Sequence, residues 1–145
     1  MKEEICTIGK EMQRIVREYL DQRRGGVVIG EFEGLLEKYT ATGEECEGLH
    51  INLLFNLACA YEQGGDLEKA VETMGEVVKK DPKDHQAWYN MGTNMAKLAR
   101  WEEAAIALGQ AVQLEPGNPE YRQNLEYAVR RGVTMVRERI RGPIC

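Results

Sequence analysis

Apolar residues recur along this chain at the three-and-four spacing of amphipathic helices, and polar or glycine-containing breaks divide the pattern into about seven segments. Between residues 3 and 23, Ile5, Ile8, Met12, Ile15, Val16, Tyr19 and Leu20 make one stripe opposite lysine, glutamate and arginine side chains, which predicts a long amphipathic helix. Arg23-Arg24-Gly25-Gly26 is expected to end it, with arginines at the negative end of the helix dipole and glycine as the stop. A second, shorter helix is predicted over 27–40, with Val28, Phe32, Leu35, Leu36 and Tyr39 inward. Gly30 and Gly34 weaken it, and the β-branched run Val27-Val28-Ile29 favours an extended start. Thr40 to Glu47 then reads as a polar connector and as the segment expected to move most. Helices follow at about 48–63, 67–80, 84–98 and 101–114. Asn118-Pro119 opens a last one, since proline is tolerated in a first turn, with Tyr121, Leu125, Ala128, Val129, Met135, Val136 and Ile140 inward.

Two neighbouring stretches share one plan. Residues 51–84 and 85–118 coincide in register at a spacing of 34. Asn56 matches Asn90, Leu57 matches Met91, Ala58 matches Gly92, Ala70 matches Ala104, and Pro82 matches Pro116. The small residues sit where a partner helix must come close, and each proline ends a helix because it lacks an N–H and pushes its predecessor out of the α region. Gly64-Gly65-Asp66 supplies a left-handed turn in the first unit, whereas the second has Leu98-Ala99-Arg100, a departure expected to cost about 1 kcal/mol if a positive φ is required there. This pattern resembles the tetratricopeptide repeat (TPR). The resemblance implies an all-α fold, a right-handed superhelix of helical hairpins. On that plan 1–145 is a single domain: a hairpin at 3–40, repeats at 51–84 and 85–118, and a half-repeat or capping helix at 119–141, the whole depending on its cap for stability.

Composition narrows the function. A net charge of −5 in 145 residues argues against general nucleic-acid binding, which needs a basic face. No apolar run is long enough to span a bilayer, and MKEEICTIGKEM lacks the apolar core of a secretory signal, so the cytoplasm is the expected compartment. Cys6, Cys46, Cys59 and Cys145 form no close pair, and the two histidines, His50 and His85, stand apart from them. That pattern offers no zinc site, so reduced thiols and neither metal nor cofactor are expected. No nucleophile elbow, phosphate loop or metalloprotease helix occurs either, and an enzyme is not expected.

In the TPR family the first helix of each repeat lines a concave groove that binds a peptide or helix of a partner protein. Carried onto this sequence, that lining is Asn52, Phe55, Asn56, Cys59 and Glu62, then Gln86, Tyr89, Asn90, Thr93 and Lys97, then Gln123, Asn124 and Tyr127. Asn56, Asn90 and Asn124 fall at one register, where side-chain amides can both donate to and accept from a peptide main chain. Phe55, Tyr89 and Tyr127 are candidate apolar anchors. Members of the family that grip a C-terminal aspartate use lysine, asparagine and arginine. Here those places hold Phe55, Cys59, Glu120 and Asn124, and only Asn90 matches, so an acidic terminus is not the expected ligand. Residues 119–145 carry six arginines against three glutamates, a basic end on an acidic chain. The expected function is therefore an adaptor or scaffold. The alternatives are a small chaperone of a secretion or assembly system, which similar architecture suggests, and a self-assembling scaffold using the 3–23 stripe.

Overall fold

The computed structural model describes residues 2–141, excluding the side chains of Ile140 and Arg141; the inward place expected of Ile140, and Gly142–Cys145 with its terminal cysteine, lie outside what it describes. The described residues form seven α-helices and no strand: α1 Lys2–Ile15, α2 Ile29–Thr42, α3 Glu47–Gln63, α4 Leu67–Lys80, α5 His85–Lys97, α6 Trp101–Leu114 and α7 Pro119–Arg141. The chain divides into two compact units, one through Pro82 and one from Lys83.

In the first unit the predicted stripe is the core. Ile8, Met12, Ile15 and Leu20 are buried with Val28, Phe32, Leu35, Tyr39, Leu49, Leu53 and Leu57 in one cluster, so the apolar face of α1 is covered by its own chain. That helix does not run straight to residue 23. It widens into a π turn over Val16–Leu20, with Asp21 N–H donating to the Val16 carbonyl at 2.9 Å. The expected glycine stop is also corrected. The left-handed residue is Arg23, at φ 57°, while Gly25 and Gly26 serve close packing. A Cβ on Gly26 would lie 2.7 Å from the Gly64 Cα, and one on Gly25 would lie 2.5 Å from Leu20 Cδ2. Val27 and Val28 do not start extended; Gly25–Val28 is a 3₁₀ turn leading directly into α2. The connector shrinks to the residues between Thr42 and Glu47. Gly43 caps α2 at φ 67°, and Cys46 N–H donates to the Tyr39 hydroxyl at 3.0 Å.

Helices α4, α5 and α7 begin on capping side chains. Asp66 accepts from Lys69 N–H, and Asp84 from Ala87 N–H. Asn118 accepts from both Glu120 N–H and Tyr121 N–H at the head of α7. Each satisfies donors that a helix N-terminus leaves open. In the second unit α6 packs on α5 and α7 through small residues. Ala104, Ala107 and Ala111 are fully buried. A Cβ on Gly92 would lie 2.7 Å from Leu108 Cγ, so the glycine of the repeat signature is a contact surface. The turn between α5 and α6 keeps its positive φ without glycine: Ala99 sits at 57°, and its register partner Gly65 at 87°. The inward face predicted for α7 is only partly inward. Tyr121 and Ala128 are buried and Leu125 and Met135 half-buried, but Val129 and Val136 are exposed, with no helix among the described residues over them.

Candidate functional site

Helical spacing places Asn52, Phe55, Asn56, Cys59 and Glu62 along one strip of α3. Asn52 is exposed and the other four are half-buried. The Asn56 amide makes no hydrogen bond among the described residues. Cys59 leans on the core, and burial, reinforced by the Glu62 carboxylate, pushes its thiol up to about 12. It is therefore an unreactive part of the wall. Glu62 itself lies 3.7 Å from an Arg23 guanidinium nitrogen.

On α5 the equivalent strip is Gln86, Tyr89, Asn90, Thr93 and Lys97. Gln86 and Lys97 are exposed and the middle three half-buried. Thr93 donates its hydroxyl proton to the Asn90 carbonyl at 3.0 Å, while the Asn90 side-chain amide has no partner among the described residues. The third asparagine differs. Asn124 on α7 donates to the Tyr89 hydroxyl at 3.2 Å and to the Glu120 carbonyl at 2.9 Å, so its amide links two helices. Tyr89 is equally engaged. Its hydroxyl donates to Glu120 Oε1 at 2.8 Å, and its ring stacks on Tyr121 at 4.5 Å between centroids. Burial, then the Glu120 hydrogen bond, pushes this phenol up to about 12. Tyr127 remains half exposed but lies edge-on to Trp101 of α6 at 5.7 Å. Gln123 is exposed.

Two groupings were not anticipated. His85 Nδ1 lies 2.8 Å from the buried Tyr121 hydroxyl, extending the Tyr89–Tyr121 stack to the head of α5. Asn94 is buried with Oδ1 unpartnered; its register equivalent is Ala60, so nothing in the repeat pattern signals a polar group there. Among the described residues no cluster of three His, Cys, Asp or Glu could hold a metal, and no helix is long and apolar enough to cross a membrane.

Comparison with known proteins agrees with the helical register. Residues 53–84 and 85–118 each match a tetratricopeptide repeat family model. The fold is similar to the C-terminal TPR-containing domain of a Plasmodium falciparum FK506-binding protein, at 22% identity and a TM-score of 0.77, covering 94% of this chain and 93% of that one. It is also similar to the first TPR of Spaghetti (RPAP3), solved bound to the HSP90 peptide SRMEEVD, at 18% identity and 0.64, covering 90% and 94%. The Sgt2 TPR domain of Aspergillus fumigatus matches at 21% identity and 0.62, covering 93% and 86%. Those likenesses are of fold. Together with the 34-residue register and the two repeat matches, they make this chain a tetratricopeptide repeat protein.

Proposed function

We propose that this chain is a non-enzymatic protein-interaction module of the cytoplasm, binding a peptide or helix of a partner along the first-helix strips of its repeats. The observation that carries the reading is the state of the register asparagines. Asn56 and Asn90 are half-buried, presented on helix faces, and their amides are unbonded among the described residues. Water can solvate such an amide in the free protein, and its donors and acceptor stay available to a ligand. An amide at this position can grip a main chain of any sequence, and Gln86, Asn52 and Phe55 supply further contacts beside it.

An acidic peptide of the kind bound by the RPAP3 domain is not favoured. Glu120 occupies the place where the resemblance calls for a cation, and it is held there by Tyr89. Phe55 and Cys59 replace the other polar positions. A dedicated chaperone role and self-assembly remain the alternatives, and neither has a comparable observation behind it.

The test is capture of proteins by full-length wild type and by the Asn56→Ala/Asn90→Ala variant, with helicity of both checked by circular dichroism. Two lost amide contacts should weaken binding by about tenfold or more. A ligand held equally by both folded proteins would remove the strips as the working site. Asn124→Ala serves as the contrast, since it breaks an internal bond and should act on stability.

A further inference from the structure

The second unit carries an apolar groove that no helix among the described residues covers. It runs between α6 and α7, has a volume of about 460 Å³, and is lined by Trp101, Ala105, Ile106, Val129, Val133 and Val136 among others. Ile106 is 68% exposed, and Val129 and Val133 are 46% and 45% exposed. An exposed apolar groove rimmed by polar side chains is a candidate interaction site. The shape is that of a helix seat. Two antiparallel helices form its walls, as α5 and α6 do for their own neighbour α7.

Charge identifies the occupant. On α7, Arg130 and Arg137 are seven apart, which puts them on one flank of the Val129–Val133–Val136 stripe, and Arg122 lies in line with the stripe toward the head of the helix. Glu126 is the only carboxylate interleaved on that flank. None of the three guanidinium groups pairs with a carboxylate among the described residues; Arg131 differs, lying over the Trp101 ring at 5.4 Å. A helix laid in the groove would bring its own flank beside three unpaired cations.

We propose that the α6–α7 groove docks an amphipathic helix of a partner protein whose aspartates or glutamates border its apolar stripe. The apolar face fills the groove, and the acidic border meets Arg122, Arg130 and Arg137 at the rim. A second copy of this chain fits poorly. Its α7 would set arginine against arginine, and its acidic helix α2 already buries Phe32, Leu35 and Tyr39. An anionic membrane offers matching charge but a flat surface, whereas this seat is recessed and has Glu102 of α6 on its wall.

The experiment is fluorescence anisotropy of a labelled synthetic helix, about five turns long, with leucines at the i, i+3, i+4, i+7 positions and glutamates on both borders. The competitor is the same peptide with lysines in place of the glutamates. The full chain should bind the glutamate peptide about tenfold more tightly than the lysine peptide, a difference that shrinks as salt is raised. Val129→Ser/Val133→Ser and Arg130→Glu/Arg137→Glu should each reduce binding about tenfold with unchanged ellipticity, since all four side chains are exposed. Asn56→Ala/Asn90→Ala should bind this peptide as wild type does, which separates the groove from the first-helix strips. Equal binding of the two peptides, no binding, or insensitivity to the groove variants would overturn the proposal. So would phosphatidylserine vesicles retaining the chain more tightly than the peptide does, or a self-associated state lost in Val129→Ser/Val133→Ser.

Discussion

Ala99 occupies a backbone conformation that costs an L-residue with a Cβ roughly 1–2 kcal/mol, since at φ 57° the Cβ crowds the following carbonyl. The strain is tolerated because Arg100 N–H donates to the Met95 carbonyl at 2.9 Å and Ala99 N–H to the Ala96 carbonyl at 2.9 Å, which closes α5 and aims the chain into α6. Gly65 makes the same turn in the first unit, at φ 87°, with open space where a Cβ would stand. The pair isolates conformation from packing. Ala99→Gly should stabilise the protein by about 0.5–1 kcal/mol, the relief of strain exceeding the greater freedom glycine gives the unfolded chain. Gly65→Ala should destabilise it by a similar amount, because nothing else changes there. Denaturant unfolding of both variants checks the pair. A midpoint that falls for Ala99→Gly would mean the turn is held by something other than these hydrogen bonds.

At the scale of elements, one side chain joins three pieces of the first unit. Gln63, at the end of α3, accepts from Gly25 N–H at 2.7 Å through Oε1 and donates to the Leu20 carbonyl at 3.2 Å through Nε2. It thereby satisfies a donor and an acceptor that the break between the π turn and the 3₁₀ turn leaves open. Gln63→Ala strands the N–H of a buried glycine and should cost about 1–3 kcal/mol. Hydrogen exchange locates the loss: Gly25 should lose protection well before α4 does. Uniform loss would mean that Gln63 acts through the core as a whole. This joint also marks the limit of what the sequence discloses. The periodicity and the prolines put α3 to α6 within a residue or two of their observed ends, because those signals are local. The Gln63–Gly25 bond spans 38 positions, and the reason Gly26 is glycine is the backbone of Gly64; neither leaves a trace in a local pattern. The asparagine register was legible for the same reason as the helices. That Asn124 turns its amide to Tyr89, unlike Asn56 and Asn90, depends on a helix 35 positions away. Val129 and Val136 follow the apolar period faithfully, but period alone does not say whether anything lies against them.

For the molecule as a whole, the question is what α7 supports. The sequence pattern leads one to expect that a chain with two full repeats collapses entirely when residues 119–145 are removed. The contacts point to a narrower failure. The main cluster of buried residues runs from Ile8 to Ala70 and lies wholly within the first unit, closed by α1, α2, α3 and the start of α4. In the second unit α7 contributes Tyr121 and Ala128, which are buried, and its ring system stacks on Tyr89 and contacts His85. Deleting it strips one whole side from α6 and leaves a pair of short helices, which alone are marginal in water. A chain ending at Asn118 should therefore lose the helicity of the 13 residues of α5 and the 14 of α6 as well as the 23 of α7. Its first unit should keep exchange protection at Phe32, Leu53 and Leu57, which are deeply buried in that cluster. Ellipticity at the helix minimum measures the first effect and residue-resolved hydrogen exchange the second. Retained protection in α5 and α6 would show that the hairpin stands without its cap. Loss of protection at Phe32 would show that the first unit depends on the second despite having a core of its own.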